Sequence, residues 1–64
     1  MYEKTDEQPV TRMTLVKRRS YVVDAWREGG ETVQVWKDKA GRLYRGLADA
    51  RANDLAWQPV VEVR

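Results

Sequence analysis

Residues 20–46 read SYVVDAWREGGETVQVWKDKAGRLYRG, and this stretch decides the fold. β-branched and aromatic residues are concentrated in three short runs, which is typical of β-strands. Gly29-Gly30 is a good two-residue hairpin loop between the first two runs. Asp38 and Gly41 suit a type I turn followed by a left-handed residue between the last two. The stretch therefore predicts two consecutive hairpins with these strands: Tyr21–Arg27, Thr32–Asp38 and Arg42–Gly46.

A helix is the competing interpretation of residues 21–28. Ser20 could cap its start and Gly29 could end it. The segment is short, however, and it is rich in β-branched and aromatic side chains. We therefore predict a strand here.

The two loops set the pairing register and so define the two faces of the sheet. The glycine loop places Trp26 opposite Val33 and Val23 opposite Trp36, and the second turn places Trp36 opposite Tyr44. Side chains alternate across a strand, so Val23, Trp36 and Tyr44 form a row on one face. We expect the opposite face to hold a helix and the core, through these residues: Val22, Trp26, Val33, Val35 and Leu43.

The segments before the hairpins have weaker patterns. Residues 1–9 are polar and end at Pro9, so we expect a disordered tail followed by a single small domain over 10–64. Val10–Val16 is rich in Thr and Val, which favours a strand.

The segments after the hairpins predict one helix and one strand. Leu47–Trp57 is rich in Ala and has a narrow apolar stripe at helical spacing, so we predict a helix. Val60–Val63 predicts a strand at a sheet edge, because Pro59 begins it. The resulting fold class is α+β: a small antiparallel β-meander of three to five strands, with one short helix packed on one face. The alternative is an SH3-like small β-barrel in which residues 47–57 are mostly loop.

The composition makes catalysis improbable and favours a binding module. The 64 residues include no Cys and no His, which leaves no disulfide, no thiolate and no ordinary zinc site. General acid–base catalysis most often uses His, which this chain does not contain. We expect no enzyme activity and no cofactor. No apolar run is long enough to span a membrane, and residues 1–9 lack an apolar signal core, so we expect a cytoplasmic protein with no membrane partner.

The charge leans toward a polyanionic partner. The net charge is +2, and it becomes +4 without residues 1–9, where three acidic residues face one Lys. Basic side chains near exposed rings could hold phosphates while bases stack on the rings. We therefore predict DNA or RNA binding by one set of residues: Lys17, Arg18, Arg19, Gln34, Trp36, Arg42 and Tyr44. The alternative is that the rings form a buried cross-strand ladder and the charges form an ordinary surface.

Two other classes of partner stay open. Trp57 at the end of the predicted helix, with Arg51, could anchor a protein partner, since Trp and Arg are frequent interface anchors. A free sheet edge could pair with a host protein or with a second copy in a homodimer.

The run Trp36–Tyr44, WKDKAGRLY, followed by the predicted helix resembles the three-stranded-sheet-plus-helix domains of phage integrases and plant AP2-type factors, over roughly residues 21–57. That resemblance implies a sheet laid on DNA. The additional strand at Val60–Val63 and the short helix depart from the pattern. The size and composition are also similar to those of small phage-encoded proteins that bind and inhibit host machinery.

Overall fold

The computed structural model describes residues 1–64 as one five-stranded antiparallel sheet with one short helix. The elements are β1 (Tyr2–Lys4), α1 (Arg12–Lys17), β2 (Tyr21–Glu28), β3 (Glu31–Lys37), β4 (Leu43–Leu47) and β5 (Gln58–Glu62). The strands lie in the order β1-β5-β4-β3-β2. The predicted small α+β meander is confirmed. The alternative of an SH3-like barrel is not, because the sheet is not closed.

The two hairpins form as predicted. Trp26 lies opposite Val33, and Trp36 lies opposite Tyr44. One difference is a register shift within β2, between Val22 and Asp24, which places Val22 rather than Val23 opposite Trp36. An extra residue on one strand exchanges the faces of everything beyond it. The predicted row of side chains therefore begins at Val22, and Tyr21 moves to the opposite face, beside Lys37.

The helix lies in a different part of the chain from the predicted one. The predicted strand at Val10–Val16 is instead mostly α1. Thr11 caps this helix, and its hydroxyl oxygen accepts a hydrogen bond from the Thr14 N–H at 3.2 Å. The buried side chain of Leu15 anchors it to the sheet. The cap and this tertiary packing outweigh the preference of Thr and Val for strands.

The predicted helix at Leu47–Trp57 does not form, and that segment consists of turns and irregular chain. The Ala48 N–H donates to the Thr32 carbonyl at 2.9 Å, which turns the chain back toward β3. Trp57 then packs directly on Gly46, where an added Cβ would lie 2.6 Å from Cε3 of the indole ring. A continuous helix would break both contacts, so tertiary packing decides against the Ala-rich local preference.

The N-terminal residues join the sheet rather than forming the expected disordered tail. Strand β1 pairs with β5, so that Tyr2 lies opposite Glu62. This pairing also makes β5 an inner strand, not the predicted edge strand. Pro59 lies inside β5 and has no N–H to donate, but its carbonyl still accepts a hydrogen bond from the Thr5 N–H at 3.1 Å.

The core occupies both faces of the sheet. Under α1, the buried side chains of Leu15, Tyr44 and Trp57 form one cluster. Buried side chains on the other face are aliphatic: Val33, Val35 and Val60. The helix therefore packs on the Tyr44 face, opposite to the predicted one.

The two edge strands approach each other across the aliphatic face. Tyr2 of β1 stacks on Trp26 of β2 with ring centroids 6.0 Å apart, and its hydroxyl donates to Asp24 at 3.0 Å. These strands lie at opposite ends of the strand order. The sheet is therefore strongly curved, and side chains rather than backbone hydrogen bonds connect its edges. The one helix is six residues long, and the structure contains no helix with the length and apolar character to cross a membrane.

Candidate nucleic-acid interface

Six of the twelve Lys and Arg residues meet at one end of the sheet, which we call the basic end. Antiparallel pairing brings the start of β2 next to the end of β3, and the β3–β4 turn lies beside them. The end of α1 leads directly into β2. The basic end comprises Lys17, Arg18, Arg19, Lys37, Lys39 and Arg42. All except Lys37, which is half-buried, are exposed.

Few acidic groups offset this charge locally. Asp38 lies in the β3–β4 turn but is only 5% exposed. Glu7 forms a 3.5 Å ion pair with Arg42, in which both side chains are more than half exposed. An exposed pair of this kind is weak. The surface of the basic end therefore presents mainly positive charge.

A partly buried hydrogen-bond network joins this end to the core. Arg18 donates to the Tyr44 hydroxyl oxygen at 2.8 Å, and that hydroxyl donates to the Asp38 carboxylate at 2.9 Å. The other oxygen of Asp38 accepts the Arg42 N–H at 2.9 Å. The network connects the end of α1 to the β3–β4 turn. It fixes the position from which the exposed cations project.

The pKa values of the network reflect its hydrogen bonds. Burial by itself raises the pKa of Asp38, but the backbone N–H groups of Arg42 and Ala40 donate to its carboxylate. The Tyr44 hydroxyl and the charge of Arg18 add to this effect, and together they hold the pKa of Asp38 below its ordinary value. Burial and the bond to Asp38 raise the pKa of Tyr44. The phenol therefore remains the donor and the carboxylate the acceptor at neutral pH.

The network predicts a loss of stability in acid. Because the folded-state pKa of Asp38 is lowered, its contribution is complete above the unfolded pKa of about 3.9 and is lost as pH falls through the lower folded value. Asp38→Asn removes this contribution and leaves the Tyr44 hydroxyl without its carboxylate. We expect a cost of about 1–3 kcal/mol at pH 7. Urea unfolding of both proteins from pH 7 to pH 2 measures it. The difference in free energy of unfolding between the two proteins should narrow below pH 4. A constant difference would contradict the role assigned to the Asp38 carboxylate.

Arg19 occupies a backbone conformation that favours glycine. Its φ is 56°, and it is the only non-glycine residue with a positive φ. The Arg19 N–H donates to the Val16 carbonyl and the Ser20 N–H to the Leu15 carbonyl, the hydrogen bonds that end a helix in a Schellman motif. Glycine is usual at this position, and another residue there costs about 1–2 kcal/mol. The chain therefore carries a cation where glycine would be more stable.

Arg19→Gly is expected to separate stability from binding. The change relieves the left-handed strain and removes one charge from the basic end. We expect the free energy of unfolding to rise by about 0.5–1 kcal/mol, because the unfolded-state entropy of glycine offsets part of the relief. Affinity for nucleic acid should fall. Arg19→Ala is the matched control, since it loses the same charge and keeps the strain. Equal stability of the two variants would show that the strain is absent.

Three of the predicted contact residues are occupied within the fold. Tyr44 is 1% exposed and has no ring face on which a base could stack. The Trp36 indole donates to the Gln34 side-chain oxygen at 3.1 Å, and its ring packs against Trp57 at 5.4 Å. The alternative, a closed aromatic arrangement within the fold, describes these rings better than an open stacking surface.

The predicted protein-binding pair is not assembled. Trp57 is 0% exposed, so its ring cannot reach a partner. Arg51 is exposed in the segment between β4 and β5, six residues before the buried Trp57. The helix that was expected to present both residues is absent. The sheet-plus-helix resemblance loses its helix for the same reason.

The predicted set of seven contact residues lacks two members of the basic end, Lys37 and Lys39. Both flank Asp38 in the β3–β4 turn, whereas Lys17, Arg18 and Arg19 are far away in sequence. The predicted hairpin register already contained the necessary information, because the start of β2 pairs with the end of β3. Following the register to the ends of the strands would have grouped them.

No His, Cys, Asp or Glu side chains are grouped in threes or more in a way that could hold a metal ion. Comparisons with protein-family models, curated proteins and solved structures find no match to this chain.

Proposed function

We propose that this protein is a small non-catalytic binding module that holds DNA or RNA through the basic end. The observation that carries the proposal is the convergence of six cations, of which only Arg42 is in an ion pair, with Glu7. Lys and Arg side chains hold nucleic acids through phosphate oxygens, and such contacts need no base recognition. A cytoplasmic location, where nucleic acids are accessible, is part of the proposal.

The arrangement favours phosphate contacts over aromatic recognition by the sheet face. The rings of Tyr44 and Trp57 are buried, and Trp36 is packed against Trp57. The partly buried network holds Arg18 by its hydrogen bond to Tyr44, which limits the motion of one cation before binding. Arg18, Lys39 and Arg42 line one shallow pocket beside Asp38, which suits a single phosphate group. Binding would then depend strongly on salt and weakly on sequence.

The direct test is a salt titration of the unmodified protein with labelled DNA and labelled RNA. If four to six cations each displace a counterion, the logarithm of the affinity should fall with the logarithm of salt with a slope of roughly −3 to −5. Two unrelated oligonucleotide sequences should bind equally. An affinity that is insensitive to salt, or no binding to either nucleic acid, would reject the proposal.

A second candidate is binding to a host protein through the free edge of β2, as a small phage-type inhibitor would do. This strand is eight residues long and pairs only with β3. Three consecutive apolar residues on it are exposed: Tyr21, Val22 and Val23. Exposed edge strands accept a strand from a partner. A tagged purification with and without nuclease separates the candidates, because only a protein complex survives nuclease.

A further inference from the structure

One aromatic ring has no partner within the fold. The other five are engaged by another ring or by an arginine: Tyr2, Trp26, Trp36, Tyr44 and Trp57. Tyr21 is the sixth, and it is 55% exposed. No aromatic ring and no arginine side chain lies over it. A domain of this size generally needs its rings for the core, so a ring left in water is unusual.

Tyr21 belongs to the basic end by its position. It is the first residue of β2 and lies directly opposite Lys37 in the ladder with β3. Side chains of directly opposed residues lie on the same face, with Cβ atoms about 5 Å apart. Arg19, which accepts a strained backbone conformation, precedes Tyr21 by two residues. The free ring therefore lies beside Lys37, at the edge of the proposed phosphate-binding surface.

We propose that Tyr21 stacks on an unpaired base and that the ligand of the basic end is single-stranded nucleic acid. This inference rests on the proposed function. Single-strand binders combine a basic surface, which follows the phosphates, with exposed rings on which bases stack. Every base has a π-face, so one tyrosine adds affinity without selecting a sequence. In a duplex the bases are stacked and paired, and the ring of Tyr21 has no base face to meet.

The competing occupant of this region is another polypeptide strand along the edge of β2. The apolar neighbours Val22 and Val23 would favour such pairing. Asp24 opposes it, because its carboxylate already holds the Ala25 N–H at 2.9 Å and also accepts the Tyr2 hydroxyl. An added strand would have to displace this hydrogen bond at the middle of β2 and would meet a charged side chain there. Charged residues on edge strands commonly prevent pairing. The observations therefore favour a nucleic-acid base over a strand.

The test compares single-stranded and duplex forms of one labelled sequence of about 12 nucleotides. Tyr21→Ala should weaken single-strand binding by at least about 5-fold, the lower limit for loss of one stacked base. Duplex affinity should stay within about 2-fold, because the phosphate contacts are unchanged. Tyr21→Phe keeps the ring and should bind like the unmodified protein. Val22→Ala is the matched control for a loss of exposed apolar surface on the same strand. Urea unfolding of each variant establishes that it is folded.

The outcomes distinguish this inference from the function on which it rests. No salt-dependent binding to any nucleic acid would overturn both. Salt-dependent binding that Tyr21→Ala leaves unchanged, or weakens equally for single strand and duplex, would overturn only the stacking role. Light scattering of the unmodified protein and of Tyr21→Ala tests whether the ring instead lies in a dimer interface. A dimer that Tyr21→Ala dissociates would assign the ring to an interface between copies, against the proposal.

Discussion

Trp57→Ala is expected to leave the chain largely unfolded at 25 °C. Trp57 is fully buried, lies against Gly46 and Trp36, and belongs to the cluster that holds α1 on the sheet. Truncating a buried Trp to Ala costs about 3–5 kcal/mol. For 64 residues, a total stability of about 3–10 kcal/mol is typical. A single core in a chain this short rarely supplies more than about 3–5 kcal/mol, so the substitution removes most or all of the stability. Far-ultraviolet circular dichroism and urea titration measure the loss.

Two further variants show whether this cost comes from the cavity. Trp57→Phe should lose much less, because the indole N–H of Trp57 has no hydrogen-bond partner and only part of the ring volume is removed. Trp26→Ala changes the same residue type at a half-buried position, where the ring contacts Tyr2 and Arg45. It should lower the free energy of unfolding by about 1–2 kcal/mol, because a half-buried side chain removes less apolar surface from water on folding. Equal losses for Trp57→Ala and Trp26→Ala would contradict the assignment of the core.

The double substitution Lys17→Ala and Lys39→Ala is expected to produce the largest loss of binding. These residues lie at the end of α1 and in the β3–β4 turn, both side chains are exposed, and neither is in an ion pair. The fold should therefore tolerate their loss. If each holds one phosphate, the salt slope should become shallower by about 2, and affinity at 0.1 M salt should fall about 50-fold. Fluorescence anisotropy across a salt series measures both quantities.

The matched control is the charge reversal Arg27→Glu. It makes the same change in net charge near the β2–β3 loop, at the other end of the sheet. Its effect on affinity should be less than about 3-fold, since charges beyond about 10 Å are largely screened at 0.1 M salt. If both changes weaken binding equally, net charge rather than the basic end governs the interaction. Arg18 is avoided here because its hydrogen bond to Tyr44 makes it part of the fold.

The hairpins were predictable because their determinants are local. Gly29 and Gly30 both adopt positive φ, as does Gly41 in the second turn. Asp38 accepts the Arg42 N–H and so closes that turn. These requirements concern single residues and their immediate neighbours, and the residue types report them directly. Both hairpins and most of their register followed from them.

The helix was misplaced because its determinants are not local. Arg12–Lys17 is too short for propensity to decide, and an isolated helix of that length is unstable in water. The Thr11 cap was a readable signal, since its hydroxyl satisfies the Thr14 N–H three residues on. In the Ala-rich 47–57 segment, the propensity pointed to a helix. The contact between Trp57 and Gly46 of strand β4, eleven positions earlier, outweighed this local preference.

The sequence by itself determined the strand pairing of the central hairpins and the supply of basic residues near their ends. Turn chemistry and charge are properties of the residues themselves, so they can be read without knowing the fold. Only the tertiary structure decided which rings are buried and which are free. Burial depends on contacts between distant segments, such as α1 over Tyr44 and Trp57 over Gly46. Those contacts enclose Tyr44 and Trp57 and leave Tyr21 in water beside the basic end.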